Sequence, residues 1–174
     1  MKAALLVFVC LLGISAAAEE PAVASQYKLL ATSRTSTLEK ELNEVAAQGY
    51  RLEGTMGGEI RGGEIITVMS KVNDGAKYHY KLLATSRTGT MEKELQEAAA
   101  EGYDYAGYTA RGEVIVILER DTTKPAKKNY DYKLLATSRT STMQKELDEA
   151  TAGGYEFVAV IRRGEVITFL RKKA

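Results

Sequence analysis

Tyr27-Lys28-Leu29-Leu30-Ala31-Thr32-Ser33-Arg34-Thr35 recurs letter for letter as Tyr80 to Thr88 and again as Tyr132 to Thr140. The three copies start 53 and 52 residues apart. The segments after them share one character: STLEKELNEVAAQGY, GTMEKELQEAAAEGY and STMQKELDEATAGGY. Each then runs into a strand-like hairpin whose turn reads RGGE, ARGE or RRGE. A fixed period of this kind marks tandem copies of one supersecondary unit. The units span residues 27–71, 80–121 and 132–174. Polar linkers join them, Val72 to Lys77 and Thr122 to Asn129, with Gly or Pro and little to bury. They are too short to act as free tethers, so the units are expected to be close neighbours.

Within one unit the pattern predicts β-α-β-β. The first strand alternates, Tyr27, Leu29 and Ala31 on one face and Lys28, Leu30 and Thr32 on the other. A helix comes next, with Leu38, Leu42, Val45 and Ala46 on one stripe. Ser36 with Glu39, and Ser141 with Gln144, have the spacing of a capping box, and Gly89 with Glu92 that of a weaker start. Gly49, Gly102 and Gly154 stop the helices. Simple alternation in the next strand places Tyr50, Leu52 and Met56 opposite Arg51, Glu53 and Thr55. The last strand, Val114 to Leu118 in the second copy, is apolar on both faces. That predicts either a central place in its sheet or a second face covered by a neighbouring copy.

The fold class expected is α+β: three small sheets, each with a helix on one face. A unit of this size buries too little apolar surface to be comfortably stable alone. The units are therefore expected to pack together, as a compact pseudo-threefold body or as a continuous row.

A strand beginning Tyr27-Lys28-Leu29, a helix containing Glu41-Leu42-Asn43-Glu44, then Gly49-Tyr50 and a final strand from Ile65 to Lys71 resemble a short bacterial family, the domain of unknown function 4177. Where that family carries Trp after the glycine, this chain has Tyr50, Tyr103 and Tyr155. The resemblance implies a small α+β unit with no assigned activity.

The first residues have a different composition. Lys2 is followed by an apolar run from Ala3 to Ile14, and Ala16 and Ala18 supply small residues before Glu19. This is the pattern of an export signal over residues 1–18, with Ala22 and Ala24 framing a second possible cut. It predicts a chain exported to the bacterial periplasm or secreted. The run is too short to span a bilayer, so no stable membrane span is expected in the mature protein. Cys10, the only cysteine, lies inside the run and lacks the small preceding residue of a lipidation site. Without residues 1–18 the chain loses one Lys and no acid, leaving 23 basic against 23 acidic side chains. A net charge of zero gives no support to nucleic-acid binding.

No catalytic constellation is present, and the expectation is of a non-enzymatic protein with no cofactor and no metal. His79 is the only histidine and has no counterpart in the other units. Glu41/Glu44, Glu94/Glu97 and Glu146/Glu149 share helix faces but are interleaved with Lys40, Lys93 and Lys145. In the tyrosine cluster of the second copy, Tyr103 and Tyr105 read as core and Tyr108 as a possible contact.

The strand-to-helix segments Ser33-Arg34-Thr35, Ser86-Arg87-Thr88 and Ser138-Arg139-Thr140 are identical while the terminal hairpins differ widely. Two readings stand. Free backbone N–H groups, the positive helix end, an Arg fork and nearby hydroxyls suit a small anionic ligand or an acidic site on a partner protein. Alternatively the hydroxyls cap the turn and Arg34 pairs with a Glu of a neighbouring unit, as in a purely structural envelope protein. An enzyme using Arg and Tyr ranks last.

Overall fold

A computed structural model describes residues 25–57, 63–85, 87–110 and 112–174. The expected export signal over residues 1–18, both expected cut positions and Cys10 lie outside the described residues, as does Ser86. Each unit is β-α-β-β as the periodicity predicts. The first contains β1 (Tyr27–Thr32), α1 (Thr35–Ala46), β2 (Tyr50–Gly57) and β3 (Ile65–Lys71). The second contains β4 (Tyr78–Thr85), α2 (Thr88–Ala100), β5 (Asp104–Ala110) and β6 (Val114–Asp121). The third contains β7 (Tyr130–Thr137), α3 (Thr140–Ala152), β8 (Glu156–Arg163) and β9 (Glu165–Lys173).

Each sheet is antiparallel and places its last strand in the middle, in the orders β1-β3-β2, β4-β6-β5 and β7-β9-β8. The central position accounts for half of the two-sided apolar character of these strands. The other half comes from stacking. Ile65 and Met69 on the front of the first sheet join Leu38 and Leu42 of α1 in a core that also holds Tyr80, Ile115 and Ile117 from the back of the second sheet. The second core repeats the plan. Val114, Val116 and Leu118 pack with Met91 and Leu95 of α2 and with Ile167 and Phe169 from the back of the third sheet. The third front face has only its own helix, with Leu135, Ala150 and Leu170 as the buried centre. The units thus form a row in which each covers the back of the next.

Two local expectations are corrected. The helices begin at Thr35, Thr88 and Thr140, one residue before the expected caps, and Arg34, Arg87 and Arg139 are the capping positions with extended backbone and no side-chain cap. Ser36, Gly89 and Ser141 therefore lie inside the first turn, and Glu39 and Glu92 are free to reach elsewhere. In the second strand of each unit a bulge falls between Leu52 and Gly54, Tyr105 and Gly107, and Phe157 and Ala159. One extra residue reverses the alternation beyond it. Tyr50 and Leu52 face the helix, whereas Met56 pairs with Ile66 on the back of the first sheet.

The helix-stop glycines adopt the conformation their position predicts. Gly49, Gly102 and Gly154 have φ of 81°, 86° and 86°, a conformation strained for any side chain. The tyrosine after each glycine then lies beneath the lysine of the repeated strand: Lys28 is 4.8 Å from the Tyr50 ring centre, Lys81 5.6 Å from Tyr103 and Lys133 5.7 Å from Tyr155.

Candidate functional site

The Ser-Arg-Thr turns are organised by the threonine that precedes them. Thr32, Thr85 and Thr137 accept from the backbone N–H of Arg34, Arg87 and Arg139 at 3.4, 3.3 and 3.2 Å. The three arginine carbonyls then start the helices, accepting from Leu38, Met91 and Met143 at 3.0 Å. With the backbone fixed this way, the arginine side chains project outward. Arg34, Arg87 and Arg139 are exposed, and among the described residues none forms an ion pair or a side-chain hydrogen bond. No acidic residue occupies the first turn of any helix, although Glu165 of the third unit brings a carboxylate to the start of α2 at Thr88.

The other members of the segment divide. Ser33 and Ser138 are exposed, and so is Thr140. Thr35 and Thr88 are half-buried, and Thr88 Oγ1 donates to Glu165 of the third unit at 3.0 Å. That is the segment's own contact between units, and it runs through the threonine and not the arginine. The expected pairing of Arg34 with a neighbouring Glu does not form. The row also spreads the three turns along its length, so they do not converge on a shared threefold axis.

Residues outside the segment hold the units together. Tyr80 is wedged between α1 and the outer edge of β2. Its N–H donates to Asn43 Oδ1 at 2.8 Å, its carbonyl accepts from Asn43 Nδ2 at 3.0 Å, and its hydroxyl accepts from Leu52 N–H at 2.8 Å. Glu39 accepts from Leu82 N–H at 2.8 Å. Two helix side chains thus satisfy the free edge of β4, which would otherwise expose unpaired backbone groups. The second junction repeats this with Gln96 donating to the Tyr132 carbonyl, Glu92 accepting from Leu134 N–H at 2.8 Å, and the Tyr132 hydroxyl accepting from Tyr105 N–H at 2.8 Å. Burial pushes the Tyr80 hydroxyl well above the usual phenol range and that of Tyr132 up to about 12, so both stay neutral.

Charge at the two junctions is reversed. Arg51 pairs with Glu119 across the first, Nε donating to the two carboxylate oxygens at 3.1 and 3.2 Å, with its guanidinium 4.7 Å from the Tyr78 ring centre. At the second, Asp104 holds the place of Arg51 and Arg171 that of Glu119, with Arg171 4.4 Å from the Tyr130 ring centre. Comparing the three copies position by position would have found this exchange in the sequence.

The remaining candidates are structural or solvated. His79 Nδ1 and the Tyr103 hydroxyl share a hydrogen bond of 2.8 Å. Glu44, Glu97 and Glu149 pair with Lys40, Lys93 and Lys145 at 3.7, 3.8 and 3.7 Å. No group of three potential metal ligands occurs among the described residues. Tyr103 is buried, Tyr105 packs on Phe169 with ring centres 6.0 Å apart, and Tyr108 is at the surface. A cleft of about 800 Å³ opens between the end of α1 and the first linker, lined by Asn43, Lys71, Lys77 and His79 among others. It contains no nucleophile paired with a base. No helix among the described residues is long and apolar enough to cross a membrane. No family model, no curated protein sequence and no solved structure matches the chain.

Proposed function

We propose that this chain is an exported, non-enzymatic interaction protein whose stacked units present a repeated anion-binding contact, the Ser-Arg-Thr turns. The observation that carries the reading is what remains of the repeated nonapeptide once the fold is accounted for. Its Tyr, Lys, both Leu and first Thr serve the junctions, the cores and the turn. The Arg serves none of these, stays exposed in all three copies, and caps a helix whose first turn carries no acid, with Glu165 reaching only the start of α2. An Arg fork next to a helix N-terminus suits a carboxylate, sulfate or phosphate, and three in a row suit a multivalent acidic partner. The resemblance to a family without assigned activity is compatible with this.

Thermal unfolding against phosphate, sulfate, carboxylates and acidic sugars tests it. A ligand at a hundred times its dissociation constant stabilises by about 2.7 kcal/mol. The triple variant Arg34→Gln, Arg87→Gln, Arg139→Gln should melt like the parent without ligand and lose the shift with ligand. A panel without any response, or a shift retained by the triple variant, removes the turns as the site. A second reading, an assembly component, is favoured by the uncovered ends of the row.

A further inference from the structure

The junction used twice inside the chain has both of its halves left over at the ends. On the back of the first sheet, Tyr27 is 59 % and Leu29 66 % exposed, whereas their counterparts Tyr80 and Tyr132 are 0 % and 1 % and Leu134 is 8 %. Met56 on the same face is 67 % exposed. At the other end the front of the third sheet exposes Phe157 and Val160, and Met143 and Leu147 of α3 are only half-buried where Leu38, Leu42, Met91 and Leu95 are fully buried. Among the described residues, the exposed large apolar side chains lie on these two faces with the single exception of Tyr108.

We infer that the chain associates head to tail with a second copy of itself, α3 and β8 of one molecule covering β1 and the back of the first sheet of the next. The two faces are complementary in detail. Leu52 lies over Gly107 at the first junction and Tyr105 packs on Phe169 at the second. The corresponding pair here is Phe157 against Gly54 and Val68, and nothing lies within 4 Å of a Cβ built at Gly54. Tyr27 would bring its hydroxyl to the Phe157 N–H, as Tyr80 and Tyr132 do for Leu52 and Tyr105.

The polar positions also match. Gln144 and Asp148 stand where Glu39/Asn43 and Glu92/Gln96 grip the next strand, and lacking a strand to hold they bond each other at 2.8 Å. Asp148 has no donor to offer a carbonyl, and the Tyr27 carbonyl needs none, because Ser25 Oγ already donates to it at 2.7 Å. Glu156 takes the place of Arg51 and Asp104, and Ser70, whose hydroxyl donates to Glu53, that of Glu119 and Arg171, so this contact lacks the opposite charges of the two internal junctions and rests on its apolar and backbone complementarity. The same surface never meets itself, which makes the contact heterologous. The proposal rests on the junctions and is independent of the arginine turns.

Sedimentation velocity of the purified chain over a range of concentrations tests it, with Leu29→Arg breaking the head and Phe157→Arg the tail. The wild-type chain should form larger species as concentration rises. Each variant alone should stay monomeric with unchanged thermal unfolding, since both side chains are exposed. An equimolar mixture of the two should form a dimer and nothing larger, because only one head and one tail remain intact. A wild-type chain that is monomeric up to its solubility limit overturns the proposal. So does association that survives both substitutions, or a mixture that stays monomeric.

Discussion

At the first junction Arg51 of the first unit grips Glu119 of the second, and at the second junction Asp104 stands in the place of the arginine and Arg171 in that of the glutamate. Everything around this pair is shared: a buried tyrosine, a bulge N–H given to its hydroxyl, and a helix acid accepting from the strand two residues on. Backbone plan therefore decides how units stack, and charge decides which unit comes after which. Exchanging the second and third units would set Arg51 against Arg171 and Glu156 against Glu119, and like charges at a contact discriminate against it.

The largest difference between the two junctions should lie in how each helix holds the neighbouring strand. Asn43 satisfies both the N–H and the carbonyl of Tyr80, whereas Gln96 gives one hydrogen bond to Tyr132 and its Oε1 has no partner among the described residues. Asn43→Leu should cost about 2 to 4 kcal/mol, the sum of two orphaned backbone groups, and Gln96→Leu about 1 to 2 kcal/mol. Denaturant unfolding of the two variants measures both. Equal losses would mean that apolar packing, and not satisfaction of the strand edge, holds the units together.

The charge pair itself should contribute less, since the Arg51 side chain is 45 % exposed although that of Glu119 is only 14 %. Arg51→Glu and Glu119→Arg should each cost about 1 to 2 kcal/mol after allowance for solvent screening, and the double exchange should recover most of the loss. Added salt should shrink each single-variant effect. Strict additivity of the two substitutions would show that the residues do not sense each other.

How much of this is legible in the sequence depends on the range of the interaction. The repeated unit, its β-α-β-β order, the stopping glycines and the two-sided last strand come from local periodicity, and all stand in the structure. The capping box does not form because Glu39 and Glu92 have a better acceptor role on the next unit's strand, which a motif read within one helix does not contain. Alternation alone puts Met56 on the wrong face because a bulge is a backbone event without a residue signature at Glu53. The choice of a row over a closed body depends on stacking direction, to which periodicity is blind. Of the candidate site, the placement of the arginines at strand-to-helix turns is legible. Their freedom from ion pairs is not, because it depends on where each neighbouring unit puts its carboxylates.

The smallest effect, and the one that most sharpens the contrast, concerns Asp104. Burial raises its carboxyl above the usual range, a hydrogen bond from Asn129 Nδ2 at 2.9 Å and the charge of Arg171 opposing that only in part. A carboxyl raised on folding binds its proton more tightly in the native state. Its contribution to stability is thus present below its unfolded value of roughly 3.9 and is lost as pH rises through the folded value. Asp104→Asn keeps the bond to Asn129 and removes the ionised form, so the variant should melt slightly above the parent at pH 7 and match it near pH 3. The reverse, a variant melting lower at pH 7 and equal at pH 3, would mean that attraction to Arg171 outweighs burial. The second junction would then be a mirror image of the first, held by an ion pair of opposite polarity, and not a site where a charge is tolerated to keep the units in order.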